Sequence, residues 1–298
     1  MRVFLTGATG FIGAHLVPEL VAAGHQVVGL SRSDDGAAAL ARAGAAVVRG
    51  DVNDLDRLRA AAATADGVVH AAFNHDVSNV KQHSEQDRRV IEALGEALAG
   101  SDRPLIITSG TGLAVSKPGR PAVETDGHHA SAQFPRAATE EAADALIAKG
   151  GRVMVMRLPQ VHDTRRQGRI SLHIQLARRK GWVAYIGEGG ARLAAAHVSD
   201  VVRLYRLALE QGQAGGRYHA VAEEGVALRD IAQVIGTGLK MPVRSIAPDE
   251  AADYFGPLAG LVTIDLAASS ALTRRQLGWT PSGPDLLTDL RNMDYSLT

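Results

Sequence analysis

Short apolar runs alternate along the chain with longer stretches in which apolar positions recur every three to four residues. The runs have the length and content of buried strands, and the periodic stretches those of helices. Residues 2–5 predict a first strand, and Ile12, Leu16, Leu20 and Ala23 recur at helical spacing after it. The same alternation predicts strands at 27–30, 46–48, 67–70, 105–108 and 153–158. It predicts helices at 37–43 and 55–63, a longer one that includes 90–98, and another at 137–148. Residues 112–133 hold Pro118, Gly119, Pro121 and Gly127 and predict a loop. Repeated strand-helix units of this kind imply an α/β, doubly wound parallel sheet of Rossmann type with helices on both faces.

After Pro159 the alternation loosens. Helices are expected at 172–179, 198–209 and 228–239, with short strands near Val183 and Tyr218 and a last one at 242–246. No internal repeat, low-complexity tract or linker interrupts the chain. Residues 1–160 are expected to form one domain, and 161–298 mainly a smaller α/β substrate lobe intermingled with it.

Between the first strand and first helix lies Thr6-Gly7-Ala8-Thr9-Gly10-Phe11-Ile12-Gly13, with glycines at steps of three. A strand, such a turn and a helix form the context in which the glycines bind a dinucleotide. Gly7 permits the tight turn, Gly10 lets the backbone approach the pyrophosphate, and Gly13 lets the helix pack close to the strand. The pyrophosphate is expected on the helix N-terminus. Cofactor choice turns on the end of the second strand, Leu30-Ser31-Arg32-Ser33. Ser31 and Arg32 suit a 2′-phosphate, so NADP(H) is expected over NAD(H); the alternative leaves Arg32 a solvated loop residue. Asp34 and Asp35 follow where they would cap the next helix.

Composition narrows the classes. Lys plus Arg and Asp plus Glu are each 32, so net charge suggests neither a nucleic-acid partner nor an anionic membrane. There is no cysteine, which excludes disulfides, thiolate catalysis and Cys-ligated metals. No apolar run is long enough for a membrane span, and the first strand starts where a leader would stand, so a cytoplasmic location is expected. Hydrophobic residues make up 46% of the 298, enough for a large core.

Further segments add to the glycine turn: Asp51-Val52, Val69-His70-Ala71-Ala72, Arg157-Leu158-Pro159-Gln160-Val161-His162 and His197-Val198-Ser199-Asp200-Val201. In order and spacing the chain resembles the extended short-chain dehydrogenase/reductases, which include sugar-nucleotide epimerases, dehydratases and 3β-hydroxysteroid dehydrogenases. The resemblance implies that Asp51 and Val52 contact adenine, that Ala71 and Ala72 lie beside the ribose, and that the segment after Arg157 lies near the nicotinamide. The candidate cofactor contacts are Gly7, Thr9, Gly10, Phe11, Ile12, Gly13, Ser31, Arg32, Asp51, Val52, Ala71, Ala72, Phe73, Thr108 and Pro159.

The resemblance departs at the proton-transfer pair, a Tyr with a Lys four residues on that lowers its pKa. Tyr185, Tyr205, Tyr218 and Tyr254 are followed at that spacing by Gly189, Leu209, Ala222 and Leu258, and Tyr295 by nothing. The register of the fifth helix puts Arg136 at the Tyr position and Glu140 at the Lys position, making the chain an atypical member. Arg136 and Glu140 share a helix face. They read either as an exposed ion pair or as functional groups, Glu140 accepting from the nicotinamide ribose and Arg136 polarising a substrate carbonyl or anchoring a carboxylate. Arg136 cannot donate a proton. Ser109 and Thr111, at the carboxyl end of the fifth strand, read as substrate contacts or strand-end caps.

His75, His128, His129 and His162 are expected to face the cleft as candidate acids, whereas His70 and His197 read as structural. No metal site is expected. Together these features imply an NADPH-dependent oxidoreductase. It would pass hydride to a C=O, C=N or activated C=C group of a small apolar molecule, with imine reduction the specific expectation. The alternative is a non-catalytic NADP(H) sensor. The resemblance also implies a possible homodimer through helices near 85–99 and 133–149.

Overall fold

The computed structural model describes residues 1–74, 76, 79–117 and 119–297. Strands β1 (Arg2–Thr6), β2 (Gln26–Ser31), β3 (Ala46–Arg49), β4 (Gly67–His70), β5 (Leu105–Gly110) and β6 (Val153–Leu158) are all parallel. They are linked in turn by α1 (Phe11–Ala22), α2 (Asp34–Arg42), α3 (Leu55–Ala63), α4 (Val80–Leu98) and α5 (Ala138–Ala148). The chain continues with β7 (Gln160–His162), α6 (Ile170–Lys180), β8 (Val183–Ile186), β9 (Arg192–His197), α7 (Val198–Gln211) and β10 (Arg217–His219). It ends with β11 (Glu223–Ala227), α8 (Leu228–Leu239), β12 (Val243–Ile246), α9 (Ala251–Phe255), α10 (Ala259–Val262), α11 (Ala271–Leu277) and α12 (Leu286–Asn292).

The main sheet has seven strands in the order β10-β6-β5-β4-β1-β2-β3. The chain runs outward one way from β1 and the other way from β4, so the carboxyl ends of these two strands flank the crevice where open α/β sheets bind ligands. One face is covered by α1 and α7, whose Leu16, Leu20, Val201 and Leu204 pack with Val3, Leu5 and Trp279. The other is covered by α3, α4 and α5 through Leu58, Val90, Leu94 and Leu146 against Phe4 and Ile107. These are the apolar positions whose helical spacing marks the elements.

Beyond residue 160 the chain does two jobs. Helix α7 and strand β10 build into the first core, β10 pairing with β6. The remainder forms a three-stranded sheet β11-β9-β7, a parallel pair β12-β8, and a core around Ile174, Ile231, Ile235, Leu286 and Leu290. Three of these strands have no counterpart in the sequence expectation. β7 carries Gln160 and His162, β9 is an alanine run, and β11 begins with two glutamates, so none has the apolar or β-branched content that marks a strand.

Candidate active site

At the end of β1, Gly7 takes φ +69°, and a Cβ there would lie 2.6 Å from the Ala71 carbonyl group and 2.7 Å from the Ala72 nitrogen. The end of β4 therefore packs directly on the turn. A Cβ on Gly13 would overlap the Gly7 carbonyl oxygen, so α1 seats against the turn only with glycine there. Helix α1 starts at Gly10 with no side-chain cap and no acidic residue in its first turn, and Thr9 and Gly10 are exposed. Its first amide groups and the positive end of its dipole are thus left for an external anion. Phe11 and Ile12 lie half-buried beside it. The residues present fit a dinucleotide pyrophosphate.

At the carboxyl end of β2, Ser31 is buried and donates to the Ser33 carbonyl at 3.0 Å. The Arg32 side chain is 80% exposed and lies 3.4 Å from an Asp51 oxygen. Asp51 also accepts from the Asn53 amide at 2.9 Å, with Val52 half-buried beside it. Arg49, which the sequence reading passed over, lies under this loop. It donates to the carbonyls of Arg32 (3.1 Å) and Ser33 and pairs with Asp34 at 2.9 Å. The register of β2 and β3 sets Arg49 opposite Ser31, and that pairing was its only signal.

At the far end of the cleft the picture changes. Glu140 is fully buried and receives Arg157 in bidentate fashion at 2.9 and 2.8 Å, Ser109 Oγ at 2.7 Å and Arg217 at 3.3 Å. Burial pushes the Glu140 carboxyl up, but Arg157, Ser109 and Arg217 outweigh it and hold the group below the usual carboxylate range. This corrects three expectations. Glu140 and Arg136 do not pair with each other, the Glu140 oxygens are committed inward rather than to a ribose, and Ser109 donates into the ion pair instead of the cleft. The physical reason is Arg157, a buried charge on β6 that demands a carboxylate. Thr111 is buried, with Oγ1 3.5 Å from the Leu158 carbonyl oxygen. Thr108 turns its hydroxyl inward, donating to the His70 carbonyl at 2.8 Å and lying 2.7 Å from the Tyr205 hydroxyl. Pro159 is half-buried at the end of β6.

His162 is also corrected as a cleft-facing acid. It is fully buried, with Nδ1 2.7 Å from Asp289 on α12 and Nε2 unpartnered, 3.9 Å from Glu223. Burial draws its pKa down against the pull of Asp289. His128 lies 3.1 Å from Asp144, and the His129 ring packs on Phe134 at 4.3 Å. His197 caps α7 through the Ser199 amide at 3.2 Å. His75 lies outside the described residues.

Arg136 stands on the single 3₁₀ turn Pro135–Ala137 ahead of α5. Its side chain is 23% exposed. Nη1 donates to Asp87 at 2.9 Å, Nη2 donates to the Thr108 carbonyl at 2.9 Å, and the guanidinium lies 3.8 Å from the centre of the Phe73 ring. Asp87 is the residue the sequence reading missed. It sits on α4 in the stripe of Ser84, Val90, Ile91 and Leu94, and a carboxylate in an apolar stripe was the available signal. Among the described residues no cluster of His, Asp and Glu could hold a metal, and no helix is long and apolar enough to cross a membrane.

The doubly wound sheet and its glycine turn define an α/β protein of the Rossmann-like epimerase/dehydratase type. The chain belongs to the NAD dependent epimerase/dehydratase family, whose model matches residues 3–222. It is 42% identical to the uncharacterized protein C2A9.02 of Schizosaccharomyces pombe over 296 residues, covering 99% of this chain and 100% of that one. It is also 42% identical to the uncharacterized protein YLL056C of Saccharomyces cerevisiae over 300 residues, covering 100% of each chain. Among solved structures, the dTDP-glucose 4,6-dehydratase DesIV of Streptomyces venezuelae, with NAD bound, is similar in fold. Its TM-score is 0.77 at 21% identity, over 98% of this chain and 96% of that one.

Proposed function

We propose that this protein is an NADP(H)-dependent reductase acting on a small apolar carbonyl compound or enone. The observation that carries the reading is the Arg136 side chain, about a quarter exposed, whose guanidinium is held by Asp87 and by the Thr108 carbonyl at the carboxyl end of β5. When bound, NADP(H) supplies the hydride. The turn from Gly7 to Gly13 and the first amides of α1 hold the pyrophosphate, and Ala71, Ala72 and Phe73 bound the ribose side. Arg32, supported by Arg49 beneath its loop, takes the 2′-phosphate.

Glu140 is spent on Arg157, so the helix position that serves the cofactor in this family falls one turn earlier, on Arg136. The partner position four residues before it is then Ala132, which has no hydroxyl. In either register the acid is missing. Arg136 acts by charge, stabilising the oxyanion that develops on the substrate, and the proton comes from water. Reduction of an iminium ion develops no oxyanion for Arg136 to meet, which moves the reading from imines to carbonyls.

The test is NADPH oxidation by purified protein against aldehydes, ketones, enones and cyclic imines, with NADH and Arg32→Ala in parallel. Turnover of a carbonyl or enone is expected, and loss of one Arg–phosphate contact should erode the NADPH preference about 10- to 100-fold. Tight NADPH binding with no turnover across the panel would overturn the reading in favour of a redox sensor.

A further inference from the structure

A hydrogen-bonded chain runs from the residue before the glycine turn to Arg136. It starts at Thr6, the residue before the glycine turn, whose Oγ1 is 2.7 Å from His70 Nδ1. His70 Nε2 is 2.9 Å from Asp87 Oδ1, and Asp87 Oδ2 receives Arg136 at 2.9 Å and the Thr139 hydroxyl. Thr6, His70, Asp87 and Thr139 are all buried. We propose that His70 and Asp87 are positioning residues that lock the Arg136 guanidinium in place and tie it to the turn that seats the pyrophosphate; this rests on the role given to Arg136 above.

Three features carry the inference. First, the guanidinium is held from three directions, by Asp87 on α4, by the Thr108 carbonyl on β5 and by the Phe73 ring face. A planar fork held on both nitrogens and one face cannot rotate freely. Second, the network meets at one carboxylate. Asp87 as a carboxylate only accepts, so His70 donates to it from Nε2, and His70 Nδ1 pairs with the Thr6 hydroxyl. Donors from both sides therefore converge on Asp87, His70 from the phosphate-turn side and Arg136 and Thr139 from the other. Third, Asp87 is ionised in the right place. Burial pushes its carboxyl up, but Arg136, His70 and Thr139 hold it below the usual range. A lone surface ion pair would not need an imidazole and a hydroxyl on the same carboxylate.

Asp87→Asn isolates the charge. Its amide oxygen still accepts from Arg136 and Thr139. Its amide nitrogen can donate to His70 Nε2 if the imidazole moves its proton to Nδ1 and donates to Thr6, so every hydrogen bond can be remade. The experiment measures carbonyl reduction, NADPH affinity by fluorescence, and the guanidinium 15N–1H NMR signals in wild type, Asp87→Asn, Arg136→Met and the double variant. Arg136→Met assigns the Arg136 signals. If it fails to fold, Arg136→Gln, which keeps amide donors but removes the cation, takes its place.

The expected result is a fall in kcat of about 10- to 100-fold in Asp87→Asn, with NADPH affinity within about threefold of wild type. The rotationally hindered Arg136 signals collapse, and Asp87→Asn causes no further loss once Arg136 is replaced. The proposal is overturned if Asp87→Asn costs the same factor in both backgrounds, which is a structural effect, or if Arg136 stays hindered without Asp87. If wild type turns over nothing, the functional reading fails alone, and the NMR comparison still decides whether Asp87 positions Arg136.

Discussion

Among single residues, the sharpest energetic asymmetry lies at the Arg157–Glu140 pair. Both side chains are fully buried, and each is the other's main counter-charge. Removing one member of such a pair usually costs about 3–5 kcal/mol, because the survivor stays buried and uncompensated. Arg157→Met should therefore lower stability in urea unfolding by about that amount, with Arg217 offering Glu140 partial relief. A midpoint unchanged from wild type would show that water or a shifted side chain reaches Glu140. This pair also explains why part of the site was not legible in the sequence. Gly7, Gly10 and Gly13 announce themselves because the demand for glycine is local to one turn. Glu140 was read from its helix spacing to Arg136, but its partner comes from β6, and helix spacing says nothing about which face a neighbouring strand will charge. Asp87 and Arg49 were missed for the same reason, each defined by a neighbour distant in sequence.

At the scale of elements, what sequence patterning conveyed was the set of strands with an apolar or β-branched run. β1, β4, β5 and β6 are continuous apolar runs and were found close to their true limits. β7, β9 and β11 lie in a small sheet with mixed surroundings, and their polar or alanine-rich stretches carry no period. Helix α1 gives the clearest test at this level. Gly13→Ala would force a Cβ into the Gly7 carbonyl oxygen and push α1 away from β1. Loss of NADPH binding in a titration is the expected result, since the first amides of α1 and the turn would no longer converge. Wild-type affinity in this variant would mean that the phosphate site does not depend on that contact.

For the molecule as a whole, the buried histidines set an acid limit. Burial pushes His173 and His219 down to about 4, with Arg157 adding to the effect at His219, while an unfolded chain titrates them near 6.5. Their folded pKa values are depressed, so the stability they contribute is full above about pH 6.5 and is lost as pH falls toward 4. The carboxylates Asp87 and Glu140 are also depressed, and their contribution begins to fall only as pH enters the usual carboxylate range. Thermal midpoints measured from pH 8 to pH 4 should be level at first and then decline below about 6.5, before the carboxylates titrate. A flat profile down to pH 4.5 would contradict the burial of these imidazoles.

Strand β10 has one more consequence. The sheet that carries the glycine turn is closed on its far edge by residues 217–219, which follow a long excursion through the second lobe. A nascent chain leaving the ribosome can assemble six of the strands early, but β6 then waits with an unpaired backbone edge while some sixty more residues emerge. During that interval the growing polypeptide is at its most vulnerable to misassociation with other chains, and chaperone engagement would be most valuable there.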